Sequence, residues 1–332
     1  MGEFELIERV RARLAAAGVA RGERLALGSG DDAAVIEGAG ASAISVDALV
    51  DGIHFRRETA SLASVGRKAL AAALSDLAAM GAGAGEALVA LGVPTDLDDR
   101  GCDELVDGLV GGAGEWSVAL AGGDVVASPV LFLSVTVLGP LGAAGEAVRR
   151  DGARPGQTVA VTGELGAAAA GLLLLEDPAL GEGLGDEVAE SLRARQLEPV
   201  PRLAAGRALA DAGAAAMIDL SDGLAGDAGH IAAASGALLV IELARLPVAA
   251  GVAEVAATAR RDPLDLAVAG GEDYELLACL PPEAVEAATA AVVDAGASLT
   301  VVGEVVEGEG VELRDAAGGV REASGFDQLA GR

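Results

Sequence analysis

Six short acidic signatures recur along the chain: Gly30-Asp31-Asp32, Ser45-Val46-Asp47, Ser75-Asp76, Gly122-Gly123-Asp124, Asp219-Leu220-Ser221-Asp222-Gly223 and Gly270-Gly271-Glu272-Asp273. Each carries Gly or Ser, and each is expected in a turn, where a strand or helix ends and a loop projects its side chains. Oxygen-rich turns suit hard cations such as Mg2+, which in proteins usually arrives holding substrate phosphates. Two carboxylates 4 Å apart repel by roughly 4 kcal/mol at an effective dielectric near 20. Several of them converging on one place would therefore require a divalent cation. The pattern reads as metal-dependent handling of phosphates.

Each signature also has a plainer reading. An isolated Gly-Asp-Asp is most often a tight turn. Asp219 and Asp222 are three apart, so at a helix start they would share a face with Ser221 between them, but an N-cap with an acidic first turn fits as well. Gly122-Gly123 offers a backbone that can approach a phosphate closely, although a lone Gly-Gly-Asp is weak evidence. Arg149-Arg150 is either a bidentate phosphate fork or a solvated pair. His54, after an apolar run, is either a ligand contact or structural. Lys68 is the sole lysine, and Gly66-Arg67-Lys68-Ala69 lacks the glycine spacing and the Ser/Thr of a Walker A loop. Nothing matches the Gly-rich loop and catalytic motifs of protein kinases. Phosphates would then be handled by carboxylates, metals, Arg and backbone amides.

Composition narrows the classes further. The 332 residues suffice for two domains or one large one. Hydrophobic residues make up 52% and aromatics 2%, so the core must be built from Ala, Val, Leu and Ile. A formal net charge of -28 argues against a nucleic-acid surface and makes an anionic substrate awkward unless metal ions intervene. Cys102 and Cys279 lie far apart and form no metal or disulfide pattern, and His54 and His230 are too few for a His-rich zinc centre. No run approaches the roughly 18 apolar residues of a membrane span, and the N-terminus lacks the apolar stretch of a signal peptide. The chain reads as a soluble cytoplasmic protein.

The elements that must position these residues follow from periodicity. Phe4 to Ala17 has helical spacing, Leu62 to Met80 reads as a helix with Ser75 and Asp76 inside it or near its end, and Asp99 to Gly114 reads as a helix. Ala33 to Ile36, Ala43 to Val46, Ala87 to Val93 and Val130 to Leu138 read as strands. The turn-rich stretch from Gly139 to Gly156 is the best domain junction. Beyond it, strands are expected at Thr158 to Thr162, Leu238 to Glu242, Tyr274 to Leu280 and Leu299 to Val302. Helices are expected at Leu165 to Glu176, Pro201 to Ala212, Leu224 to Ser235 and Pro282 to Ala295, with Gly181 to Asp186 a mobile loop. Strands and helices mixed in both halves indicate an α/β or α+β architecture.

Taken in order, these segments resemble the thiamine-monophosphate kinase family of the aminoimidazole-ribonucleotide-synthetase-like (PurM-like) superfamily. The resemblance runs from Gly2-Glu3-Phe4-Glu5-Leu6-Ile7 through the six signatures, Gly52-Ile53-His54-Phe55 and Asp273-Tyr274-Glu275-Leu276 to Gly325-Phe326-Asp327. It implies a two-domain PurM-like fold, with an N-terminal mixed-sheet domain over residues 1–144 that pairs with a second subunit's and a C-terminal α/β domain over 145–332. It implies transfer of the γ-phosphoryl group of ATP to thiamine monophosphate within a homodimer, with no nucleic-acid or membrane partner. By position, Asp31, Asp32, Ser45, Asp47, Asp76, Asp124, Asp219 and Asp222 would hold several Mg2+ ions. Gly123, Asp124, Arg150 and Ser221 would bind ATP, and His54, Glu272 and Phe326 would line the thiamine pocket.

Val46 and Val125 stand where that family often carries Thr, and Leu105-Val106 and Trp116 leave the adenine contacts unassigned. Aminoimidazole ribonucleotide synthetase is the enzymatic runner-up. An acidic cation-binding protein without catalysis, and a family member that binds thiamine phosphate without turning it over, are the other readings.

Overall fold

The computed structural model of the chain describes residues 3–20, 22–27, 35–38, 40–142 and 145–321. Asp31, Asp32 and Phe326 lie outside the described residues. The chain divides into two compact units, Met1–Leu77 with Ala82–Glu146, and Ala78–Gly81 with Ala147–Arg332. Among the described residues no helix is long and apolar enough to cross a membrane.

The first unit runs α1 (Glu3–Ala17), β1 (Leu25–Leu27), β2 (Val35–Ile36), β3 (Ser42–Val50), α2 (Leu62–Ala79), β4 (Glu86–Val93), α3 (Asp99–Glu115), β5 (Ala119–Ala127) and β6 (Phe132–Pro140). The strands β3, β6, β4 and β5 form one sheet in that order, antiparallel except for β4 and β5. That parallel pair is joined through α3, as a crossover requires. Alternation decides the faces. Leu133, Val135 and Val137 on β6 are buried and share rows with Leu49, Asp47 and Ser45, whereas Ile44 and Val46 point the other way and are more than half exposed.

The aromatic-poor core allows helices to touch backbone to backbone. A Cβ on Gly108 of α3 would fall 1.9 Å from the Ala63 carbonyl oxygen, and one on Gly66 of α2 would fall 2.1 Å from that of Leu105. This reciprocal contact sets the lie of α2, the helix that carries Asp76. Asp98 caps α3 by accepting a hydrogen bond from the Gly101 N–H at 2.8 Å. Ion pairs from Arg9 to Asp103 and from Arg13 to Asp107 tie α1 to α3.

The second unit contains β7 (Thr158–Thr162), α4 (Ala167–Glu176), α5 (Asp186–Leu197), α6 (Leu203–Asp211), β8 (Ala216–Asp219), α7 (Leu224–Ser235), β9 (Leu238–Glu242), α8 (Val252–Thr258), α9 (Pro263–Val268), β10 (Leu276–Leu280), α10 (Val285–Asp294), β11 (Leu299–Val306), β12 (Gly310–Arg314) and β13 (Val320–Arg321). Its seven-stranded sheet has the order β13-β12-β9-β11-β7-β10-β8. Strand alternation again sorts the core: Val159, Val161, Ile218, Leu277 and Cys279 pack with α7 on one face. Ala160, Met217, Leu276, Ala278 and Leu280 pack with α6 and α10 on the other. A third cluster joins α4, α5 and α8. Each fully buried Leu, Ile or Val contributes about 1.5–3 kcal/mol.

The structure corrects the expectation of turns at Asp47 and at Gly122–Asp124, while Asp76 lies inside the helix that the sequence indicated. Ser45 and Asp47 lie within β3, Asp76 within α2 and Gly122–Asp124 within β5. Asp219 ends β8 and Asp222 precedes the N-cap Gly223 of α7, so the two share no helical face. Helix α5 was not anticipated, because its hydrophobic stripe is weak and it follows the Gly-rich stretch, which forms a turn feeding directly into it.

Gly108→Val should destabilise the protein by about 3 kcal/mol through overpacking. Gly111→Ala on the same helix, where an added Cβ meets nothing within 4 Å, should be neutral or stabilise it by up to ~1 kcal/mol. Thermal unfolding followed by circular dichroism checks both.

Candidate active site

In the first unit the sheet and α2 bring together two of the predicted metal residues. The Ser45 hydroxyl on β3 donates to Asp76 Oδ2 at 2.5 Å. Asp47 lies on the same face of β3, its carboxylate accepting from the Ala48 N–H at 2.7 Å. Gly123 stands in the same row across the sheet, through Val135 and Val89. Its lack of a side chain is a packing requirement, since a Cβ would sit 1.9 Å from the Val89 carbonyl oxygen. Asp124 is one row further on, aligned with Ala90, Ser134 and Ala48, and so belongs to the opposite, exposed face. His54 closes the turn after β3. Its Nδ1 accepts from the Val50 N–H at 3.1 Å, which leaves the proton of a neutral ring on Nε2, available as a donor.

The same unit holds an apolar groove. Val10 and Leu14 of α1, Val106 and Leu109 of α3, and Val89 and Leu91 of β4 wall it, and Gly122 to Val125 edge it. Sequence reasoning left this stretch of α3 unassigned, because an aliphatic helical stripe carries no ligand signature of its own.

In the second unit two of the predicted loops are zipped together by their backbones. β8 and β10 are antiparallel, and the pairing continues past their ends. The N–H groups of Leu220, Tyr274 and Glu272 bond to the carbonyl oxygens of Glu275, Leu220 and Ser221 at 2.8, 2.9 and 2.9 Å. Asp219, Ser221 and Asp222 are thereby set beside Glu272. Gly223, at φ 105°, allows the turn into α7, because a Cβ there would lie 2.9 Å from the Ala269 carbonyl carbon. Glu272 and Tyr274 also hold positive φ, 67° and 50°, which non-glycine residues adopt only when their surroundings over-determine them.

Those surroundings are three carboxylates. Asp273 accepts from the Gly166 and Ala168 N–H groups at 2.7 and 3.1 Å, at the start of α4. Its burial pushes it up to about 7, against those two bonds. Glu275, with no exposed surface, accepts from Arg202 Nε and Nη2 at 2.7 and 2.5 Å, Arg195 Nη2 at 2.6 Å and Thr162 Oγ1 at 2.7 Å. Burial alone would raise its pKa, but the bonds and charges of Arg202 and Arg195 outweigh it and hold the carboxyl below its ordinary value. The Glu272 carboxylate accepts from Gln196 Nε2 at 2.6 Å.

The acidic turn has the donor set of a cation site. Asp222, Asp227 and His230 each offer a ligand atom within 4.8 Å of the others, and the Asp222 N–H donates to Asp227 Oδ2 at 3.1 Å. Burial, then the charges of Asp219 and Asp222, push Asp227 up to about 8. Carboxylates crowded in this way fit a hard divalent cation, which would remove the repulsion that raises Asp227. Arg150 does not join this turn. It is exposed, and its carbonyl accepts from Ser235 Oγ at the far end of α7, about 18 Å along a 12-residue helix.

Residues 30–141 match the family "AIR synthase related protein, N-terminal domain", and residues 154–316 match its C-terminal counterpart. The chain is 40% identical over 282 residues to the thiamine-monophosphate kinase of Mycobacterium tuberculosis, spanning 84% of this chain and 80% of that relative. The chain belongs to the thiamine-monophosphate kinase family. It is similar in structure to the thiamine-monophosphate kinase of Stenotrophomonas maltophilia, at a TM-score of 0.82 and 37% identity over 94% of this chain and 96% of that one. It is also similar to AaThiL complexed with AMPPCP and TMP, at a TM-score of 0.76 and 30% identity over 98% and 96% of the two chains.

As a member of the thiamine-monophosphate kinase family, the chain has the two-domain PurM-like fold that its sequence implied. Sequence reasoning missed Gln196, Arg195, Arg202 and Asp227. For Asp227 a signal existed: it stands three residues before His230 on a helix, which places both on one face. For the α5 pair there was none, since nothing in Arg195-Gln196 says which loop it will meet.

Arg202→Met leaves Glu275 buried with one cation fewer and should cost about 3–5 kcal/mol at neutral pH. In the native protein Glu275's folded pKa is depressed. Its contribution is therefore complete above the unfolded value of about 4.3 and is lost as pH falls through the folded one. The melting temperature of Glu275→Gln should fall less steeply than the wild type's below that pH, and the deficit of Arg202→Met should shrink there.

Proposed function

We propose that this chain transfers the γ-phosphoryl group of ATP to thiamine monophosphate, giving thiamine diphosphate and ADP. The observation that carries the reading is the pairing of the crowded Asp219–Asp222 turn with the Glu272 loop, in a member of a family whose relatives are thiamine-monophosphate kinases. Asp31, Asp32, Ser45, Asp47, Asp76, Asp124, Asp219 and Asp222 would hold Mg2+. When bound, Mg2+ supplies charge neutralisation between two polyanions that would otherwise repel. Gly123, Asp124, Arg150 and Ser221 would contact ATP. His54, Glu272 and Phe326 would bind the thiamine moiety, with Glu272 facing its cationic ring and Phe326 offering an aromatic face.

The chemistry asks little of a general base. The acceptor oxygen belongs to a phosphate already anionic at neutral pH. It forms the new bond to Pγ as the bond to the ADP oxygen breaks, in line and without a phosphoenzyme. What the protein contributes is alignment. The apolar groove between α1, α3 and β4 is the site for the adenine ring: its walls are aliphatic and its edge is the Gly123–Asp124 segment assigned to ATP.

Thiamine monophosphate, MgATP and enzyme should yield thiamine diphosphate, and Asp222→Asn should lose at least about a hundredfold in kcat, comparable to removing one electrostatic stabiliser. A folded, metal-supplied wild type without product would overturn the reading. Turnover of a purine-pathway ribonucleotide instead would move it to aminoimidazole ribonucleotide synthetase. Accumulation of a phosphorylated protein would sink direct transfer.

The first unit would pair with its copy in a homodimer. Ile44 and Val46 are 67% and 62% exposed and Val126 43%, all on the outer face of the β3-β6-β4-β5 sheet, an apolar surface that water disfavours. Val46→Asp should shift the sedimentation profile from dimer to monomer; a wild type that sediments as a monomer would contradict this.

A further inference from the structure

We propose that Gln196 is a positioning residue that determines recognition of the cationic ring of the substrate by holding the Glu272 carboxylate in a fixed direction. This rests on the assignment of Glu272 to the thiamine pocket made above. The Glu272 backbone is already clamped, at φ 67° with its N–H on the Ser221 carbonyl. A Glu side chain nonetheless has several rotatable bonds beyond its Cα and loses considerable entropy when fixed. Gln196 supplies the restraint. It is 5% exposed at the last turn of α5, and its Nε2 reaches Oε2 of half-buried Glu272 at 2.6 Å.

The helix that carries Gln196 is itself immobilised. A Cβ on Gly171 of α4 would fall 2.0 Å from the Leu192 carbonyl oxygen, so α4 and α5 touch along their backbones. The preceding residue, Arg195, is paired to fully buried Glu275 at 2.6 Å. Two consecutive residues of α5 thus grip two carboxylates of one loop. The chemistry of the two grips differs. Arg195 is a cation and compensates the charge of Glu275, which is buried for good. Gln196 is a neutral amide: it orients a carboxylate through one N–H and does not cancel its charge. A carboxylate fixed in direction by a neutral donor suits a ligand bearing positive charge, such as a thiazolium ring. A Lys or Arg in this place would spend the carboxylate's charge internally.

The test is steady-state kinetics of Gln196→Met, Glu272→Ala and the double variant, with melting temperatures alongside. Met keeps the unbranched volume of Gln and removes the donor, and Gln196→Ala replaces it if that variant does not fold. Gln196→Met should raise KM for thiamine monophosphate about tenfold, the effect of ~1.4 kcal/mol, with KM for MgATP changed by no more than roughly twofold. In the Glu272→Ala background it should add nothing further, since its partner is gone. If Glu272→Ala raises KM but Gln196→Met does not, or if the two effects multiply, the positioning role is wrong and the assignment of Glu272 stands. If Glu272→Ala leaves KM for thiamine monophosphate unchanged, the assignment of Glu272 falls and the inference falls with it. An equal rise in both KM values would mean that Gln196 acts only through general stability.

Discussion

The second unit is organised around a carboxylate that has no contact with water. Glu275 immediately precedes β10, the strand next to the β8 edge of the sheet, and has no exposed surface. Such a charge costs several kcal/mol to desolvate and is tolerated only when fully paired. Arg202, Arg195 and Thr162 meet that demand from α6, α5 and β7. Because three elements converge on one group, the residues before it have little freedom. Asp273 is drawn to the start of α4, Tyr274 and Glu272 are held at positive φ, and their N–H groups are left facing the Asp219–Asp222 turn. The loop proposed to meet the substrate is thus shaped by a charge to which the proposed transfer assigns no role.

The two kinds of acidic residue in this unit illustrate how burial and pairing set their roles. Glu275 is matched by guanidinium groups and stays ionised; its task is finished when the protein folds. Asp219, Asp222 and Asp227 are crowded together, and burial, reinforced by the charges of Asp219 and Asp222, pushes Asp227 up to about 8. An arrangement that is unfavourable without a cation becomes favourable with one. This is the physical distinction between a structural carboxylate and one proposed to hold a metal, and the sequence does not draw it: both occur in short acidic segments beside glycine.

In the first unit the constraint is steric. Glycines at the α2–α3 crossing let two helices approach within backbone contact, which places Asp76 against Ser45 on the sheet. A core of Ala, Val and Leu, with hardly any rings, makes such short distances possible. The same sheet leaves Ile44 and Val46 uncovered, so its two faces divide between a polar pair under α2 and an apolar surface outside.

By itself the sequence determined many of the elements, and the family. Hydrophobic periodicity is a local property, so α7, β7 and β9 were legible to the residue and α3 nearly so. The ordered acidic motifs carried the two-domain fold and the kinase reading. Local signals could not say which residues meet. Ser45 and Asp76 are 31 positions apart and Gln196 and Glu272 76 apart, and each pair is made by packing of whole elements. Nor could they say that Gly122–Asp124 lies in a strand, because strand pairing overrides the turn preference of two glycines. Charge state belongs to the tertiary structure too. It depends on burial and on neighbours distant in the chain, and these exist only once the sheet and its helices have closed around them.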